Sequence, residues 1–196
     1  MERESDLGAP QWVVLVYRVP SEPASKRVSV WRELRRLGAL YLQQCVCIFP
    51  RIDGVGAAVQ QVTHKIASQG GEFTLFEVPN LSREDETKIV EGFRSLRDKE
   101  YAEIVEECET KFVKEIEFER FRENFTYEEA EEIQQDLEKI RRWYETVKAR
   151  DWFGADGSAG AAAWIERCAE LYSHFEEDVY RRVDGDGSGR GTVADA

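Results

Sequence analysis

The chain has 196 residues, with 39 Asp/Glu against 27 Lys/Arg and a formal net charge of −12. That length holds one good core, or a small domain with a helical extension, and excludes an enzyme built from separate cofactor and substrate domains. No apolar run reaches membrane-spanning length, and the opening Met1-Glu-Arg-Glu-Ser-Asp carries charge rather than a signal-peptide core, so a cytoplasmic protein without a membrane partner is expected.

Trp12 to Arg18 is an apolar run shortly followed by Pro20 and reads as a strand. A helix follows from Pro23 to Leu37, with Val28, Trp31, Leu34 and Leu37 as its apolar stripe and Gly38 placed to end it. Ala39 to Gln43 and Cys45 to Phe49 read as two short strands, the second closed by Pro50. Asp53 is placed to cap a second helix through about Ser68, with Val55, Val59, Val62 and Ile66 facing inward. Gly70-Gly71 stops that helix, and Glu72 to Val78 is a fourth strand. The order βαββαβ over residues 12 to 78 predicts a ferredoxin-like domain with its helices on one sheet face.

From Ser82 the periodicity is helical. Ser82 with Asp85 resembles a capping box, and Ile89, Phe93, Leu96, Ile104, Cys108, Phe112 and Ile116 follow on one long helix, kinked or broken near Arg97 to Tyr101. Thr126 with Glu129 is a second capping box. After it Ala130, Ile133, Leu137, Ile140, Tyr144 and Val147 form a coiled-coil seam, which predicts an antiparallel hairpin, with pairing between chains as the alternative. A Gly/Ala/Ser loop, Gly154 to Gly160, leads to a last helix from about Ala161 to Arg182. The expected fold is thus α+β: a ferredoxin-like domain over 1–80, a helical region with an antiparallel hairpin over 81–183, and a flexible tail over 184–196.

Charge is unevenly placed. Residues 1 to 75 balance at +2 and residues 76 to 196 at −14, so the first region is the only plausible polyanion surface. Within it Arg18, Lys26, Arg27, Arg32, Arg35 and Arg36 are opposed only by Glu22 and Glu33. Arg18, Arg27, Arg32, Arg35 and Arg36 are therefore the candidate ligands for an oxyanion or a DNA backbone, against a plain solvated helix face with local ion pairs. Arg141, Arg142 and Arg150 are a second group, on a stretch so rich in glutamate that intrachain salt bridges are the competing role.

Other features are weaker. Cys45 and Cys47, two apart on a strand, face the same side and read as small core residues before they read as a metal or redox pair. Four scattered cysteines fit neither a disulfide framework nor a closed zinc site, and His64 and His174 have no partner at metal-ligand spacing. Gly54-Val-Gly56 at a helix start is slight evidence for an anion. Asp184, Asp186, Ser188, Gly189 and Asp195 match positions of a calcium loop, but position 12 is Asp rather than Glu and no exiting helix follows. No Ser/His/Asp arrangement, Walker loop or zinc-ligand cluster is visible, so no catalytic residue, metal or cofactor is expected, and the protein reads as a non-enzyme.

Six stretches carry a family resemblance. Leu15-Val-Tyr-Arg-Val-Pro20, Trp31-Arg-Glu-Leu-Arg-Arg-Leu-Gly-Ala39, Glu100-Tyr-Ala-Glu103, Phe125-Thr-Tyr-Glu-Glu-Ala130, Asp136-Leu-Glu-Lys-Ile-Arg-Arg-Trp143 and Ala149-Arg-Asp-Trp-Phe-Gly154 run in order across residues 12 to 154. Together they resemble the N-terminal domain of the bacterial chromate-resistance regulator ChrB. The resemblance implies a cytoplasmic regulator of a chromate-efflux operon, with operator DNA as partner and chromate as effector. Full-length members of that family continue into a second domain, where this sequence runs into a short helix and a Gly/Asp-rich tail. More distantly, the βαββαβ portion is similar to PaaX-type repressors and to the small CRISPR adaptation nuclease. In the nuclease a metal-binding aspartate ends strand one; here that place is Arg18, which cannot ligate a cation, so the resemblance does not carry nuclease activity over.

Two readings follow. In the first, the basic region touches DNA and the helices make a homodimer. In the second, the chain is a scaffold that does not bind DNA and docks a partner protein through its acidic helices.

Overall fold

The structure, a computed structural model, describes residues 12–187, in two compact units that divide between Phe93 and Arg94. The fold is mixed α/β. In the first unit β1 (Trp12–Arg18), α1 (Ala24–Arg36), β2 (Leu40–Gln43), β3 (Val46–Pro50), α2 (Val55–Ser68) and β4 (Glu72–Val78) follow the expected order, and α3 (Arg83–Glu107) begins. The sheet order is β2-β3-β1-β4, with every neighbouring pair antiparallel.

Register assigns the faces. Leu15 pairs with Cys47 and Val13 with Phe49, so these residues share one side of the sheet. On that side Leu15, Cys47 and Phe49 are buried, as are Val30 and Leu34 of α1 and Val59, Val62 and Ile66 of α2. Trp12 and Ile48 belong to the opposite side, where the Trp12 ring stacks on Phe93 of α3 at 6.1 Å. Gly92 lies so close to Leu40 that an added Cβ would sit 3.0 Å from it. The two helices of the βαββαβ stretch therefore share one sheet face, and the first core also takes in residues beyond 80, because Gly92 and Phe93 close over Trp12 and Leu40 on the other.

One of two helix ends differs from expectation. Asp53 is not the cap of α2; Gly54 holds that position, with no side-chain hydrogen bond to the helix. Gly38 does end α1: its φ of 87° is the left-handed turn that glycine adopts without strain, and its N–H donates to the Arg35 carbonyl at 3.0 Å. Phe73, Leu75 and Phe76 of β4 are all more than a third exposed, because β4 is an edge strand.

α3 runs as one continuous helix from Arg83 to Glu107, so the expected break near Arg97 is not there. The irregularity comes later, as a π-helical turn over Cys108–Phe112 before α4 (Val113–Phe121). The buried residues Ile104, Cys108, Phe112 and Ile116 are spaced by four throughout. On a regular α-helix each step of four drifts about 40° around the axis, and one wider turn restores the face.

α5 (Tyr127–Lys148) starts at Thr126, whose hydroxyl accepts from the Glu129 N–H at 3.2 Å, and its whole expected seam is buried. α6 (Gly157–Gly187) starts earlier and ends later than the pattern suggested. Its first N–H, on Gly157, donates to Asp98 Oδ1 at 2.8 Å, so a stretch read as loop is held as helix by a cap from α3. Tyr101 meets Tyr144 and Tyr127 meets Tyr180, so α5 runs antiparallel to both α3 and α6. The result is a core shared by three helical limbs, with α5 packed most closely on α6. The first four residues of the calcium-loop pattern are helical, and the rest of that pattern lies outside the described residues.

Candidate functional site

The phase of α1 decides which of its side chains are free to act. Val30 and Leu34, four apart, are fully buried, whereas Val28 and Trp31 are 40% and 48% exposed. The expected stripe through Val28 and Trp31 is thus turned to solvent. A three-residue spacing drifts backwards around an α-helix, and here the sheet selects the Val30–Leu34 line instead.

The arginines follow from that rotation. Arg27, Trp31 and Arg35 are successive steps of four along one exposed face, and the Arg35 guanidinium lies over the Trp31 ring, 5.5 Å from its centroid. Arg32 faces a neighbouring groove with Ser25, Ser29, Glu33 and Lys65. Arg27 and Arg32 make no ion pair or hydrogen bond among the described residues. Arg36 is tied to Glu33, which also meets Lys65 at 3.5 Å; the Arg36 hydrogen bond, then the charges of Arg36 and Lys65, hold the Glu33 carboxyl below the usual carboxylate range against a smaller opposing effect of burial. Lys26 donates to the Gln69 carbonyl at 3.1 Å and so pins α1 to the end of α2.

Arg18 is not on this face. It stands opposite Glu72 in the β1–β4 register and lines a groove with Glu22 and Glu72. Two carboxylates beside one guanidinium offset its attraction for an anion.

A third groove, of about 420 Å³, opens between α1 and the end of the sheet. Its walls are Tyr17, Val19, Arg27, Val28, Trp31 and Tyr41, with Gln44 and Cys45 of the β2–β3 turn at the rim. The two phenol oxygens are 3.1 Å apart, a hydrogen bond between β1 and β2. Burial raises both phenols above the ordinary tyrosine range, so they are protonated donors at neutral pH. Cys45 has φ 65° and sits in the turn before β3, so strand alternation does not place it on the same side as Cys47. The buried Cys47 thiol is pushed up to about 12, mainly by burial, and is unreactive. Trp31, Tyr17, Tyr41 and Cys45 were not legible as site residues; the available signal was Trp31 bracketed by Arg27, Arg32 and Arg35.

In the helical unit Arg142 forms an exposed pair with Glu138 at 3.6 Å, and Arg141 is exposed. Arg150 is built in: its side chain is 14% exposed, it meets Glu100 at 3.3 Å, and Nε donates to the Thr146 carbonyl at 3.0 Å. Arg97 holds the same Glu100 carboxylate at 3.1 Å. These three arginines of the second group therefore do not converge on one anion.

Among the described residues no group of His, Cys, Asp or Glu is arranged to hold a metal, and no helix is long and apolar enough to cross a membrane.

Comparison with known proteins gives two matches. The family model described as Protein ChrB, N-terminal, matches residues 27–186. A curated relative named Protein ChrB, from Cupriavidus metallidurans (strain ATCC 43123 / DSM 2839 / NBRC 102507 / CH34), is 24% identical over 152 residues, which cover 76% of this chain. The match covers 43% of that relative, so the chain spans less than half its length.

Proposed function

Because the chain belongs to the family of ChrB N-terminal domains, we propose that it serves chromate resistance as a cytoplasmic transcriptional regulator that responds to chromate and has no catalytic role. The observation that carries this reading is the extent of the family match, which begins at Arg27 and so includes the exposed arginine face of α1. Operator DNA is the partner that face suits, with Arg27, Arg32 and Arg35 on the phosphate backbone, Arg36 paired to Glu33 and Arg18 set apart beside Glu22 and Glu72. The β2-β3-β1-β4 order with antiparallel neighbours supports a ferredoxin-like reading of the first unit. The helical unit is assigned to homodimerisation.

Fluorescence anisotropy against the chain's own upstream DNA, with scrambled competitor, tests this. Saturable, competitor-resistant binding is expected, with a log–log salt slope of about −3 per chain if the three arginines each neutralise a phosphate. Replacing all three by alanine should flatten the slope, and chromate should release the DNA where sulfate at equal ionic strength does not. Binding that never survives competitor would remove the DNA reading and leave the alternative, a scaffold docking a partner protein. That second reading rests on the −14 balance of residues 76 to 196 and on an open cleft on the helical unit where Glu115 and Trp143 stand beside the Glu107–Lys111 and Asp136–Lys139 pairs.

A further inference from the structure

The groove between α1 and the sheet differs in chemistry from its neighbours. The grooves beside Arg18, Arg32 and Arg51 each carry at least one glutamate, namely Glu22 and Glu72, Glu33, and Glu77. Among the described residues none lining the groove of Arg27 is a carboxylate, in a chain with 39 Asp and Glu. Its polar lining can donate: the Arg27 guanidinium, the Gln44 amide and the phenols of Tyr17 and Tyr41. Of the two phenol protons one closes the hydrogen bond between the rings, and the other is left to donate outward.

The rest of the lining is apolar and flat. Trp31 presents its half-exposed indole beside Val28, and Arg35 over that ring holds positive charge at the same edge. The β2–β3 turn at the rim is fixed to β1 by the Tyr17 N–H, which donates to the Cys45 carbonyl at 3.0 Å. Cys45 holds a left-handed conformation that a residue with a side chain rarely adopts. The volume, about 420 Å³, suits a small molecule.

We propose that this groove is a binding site for a small organic anion that carries a planar aromatic ring, with the ring stacked on Trp31 and the anionic group held by Arg27 and the Tyr17–Tyr41 hydroxyl pair. A bare tetrahedral oxyanion would use the donors and leave the indole and Val28 wet; a neutral aromatic would leave Arg27 uncompensated. The site needs no contact between the chain and DNA. Aryl carboxylates and nucleotides share the required chemistry.

Calorimetric titration of the full chain with 2-naphthoate and, separately, with adenosine monophosphate distinguishes these two sources. At least one should bind with a dissociation constant below about 1 mM. Cyclohexanecarboxylate, which lacks the ring, and 2-naphthamide, which lacks the charge, should bind at least about tenfold more weakly than 2-naphthoate if the aryl acid is the ligand. Adenosine and inorganic phosphate serve as the same controls for the nucleotide. Trp31→Ala and Arg27→Gln, both at exposed helix positions, should each weaken binding about tenfold, Tyr41→Phe severalfold, and Arg51→Gln not at all. Circular dichroism checks that each variant is folded. Failure of both probes to bind, equal binding of the matched controls, or binding unaffected by Trp31→Ala and Arg27→Gln would overturn the proposal. A chain that binds the probe but not operator DNA would retain this site and lose the DNA reading.

Discussion

Gly71 and Arg150 are single positions on which packing depends. A Cβ at Gly71 would lie 2.5 Å from the Arg18 carbonyl oxygen and 2.8 Å from Ile66 Cγ2, where β4 starts against β1. Gly71→Ala should destabilise the chain by about 1–3 kcal/mol, read as a lowered urea midpoint, because backbone rather than a flexible side chain must yield. Arg150→Ala removes one of the two arginines on Glu100 and should cost about 1–3 kcal/mol, whereas Arg142→Ala, at an exposed pair, should stay within about 0.5 kcal/mol. Neither arginine change should alter polyanion affinity. Both residues were visible as conspicuous types, but their roles were not: a Gly-Gly pair reads as a helix stop, and an arginine beside many glutamates does not say which one it meets.

At the scale of elements, the π turn absorbs a mismatch between sequence period and helix period. Thr110 and Glu109 are exposed within it. Deleting Glu109 changes the seam from Cys108, Phe112 and Ile116 at spacings of four to spacings of three and four, which a regular α-helix keeps on one face. The shortened chain should remain folded, with a melting temperature within a few degrees of the parent, while deletion of Glu131 from α5 should unfold the helical unit by rotating the seam away from its partners. Loss of structure on deleting Glu109 would mean that the π turn itself is required. The α5 seam was legible because its 3,4 repeat has one periodic solution. The α1 phase was not, because Val28, Trp31, Leu34 and Leu37 and the pair Val30 and Leu34 both give an apolar line, and only the sheet chooses between them.

At the scale of the molecule the acidic balance bears on stability. Burial, and then the neighbouring carboxylates, raise the pKa of Glu115 (Asp136, Glu119, Glu132) and of Glu129 (Glu119, Glu132, Glu115). Because the folded form takes up these protons before the unfolded chain does, stability should rise as pH falls from neutral through the raised values and be lost as pH rises back through them. Glu33 acts with the opposite sign, its contribution being lost only as pH falls through its lowered value, below the ordinary carboxylate range. Urea midpoints should therefore increase between pH 7 and about pH 5, and the increase should shrink in the double variant Glu115→Gln/Glu129→Gln. Added salt at pH 7 should reduce the same difference by screening the carboxylates. A midpoint that falls steadily over this interval in the parent chain would contradict the assignment.

The order of strands and helices, the α5 seam, the Gly38 stop and the uneven charge were all determined by the sequence alone, because each rests on local period, local turn chemistry or simple counting. Tertiary structure decided which face of α1 is buried, that the start of α3 covers the second side of the sheet, and that α6 completes the helical core. It also separated Arg18 from Arg27 and placed Trp31, Tyr17 and Tyr41 around one groove that no carboxylate lines among the described residues. These outcomes depend on contacts between residues distant in the chain, where several faces satisfy the same local pattern and only the packed partner selects one.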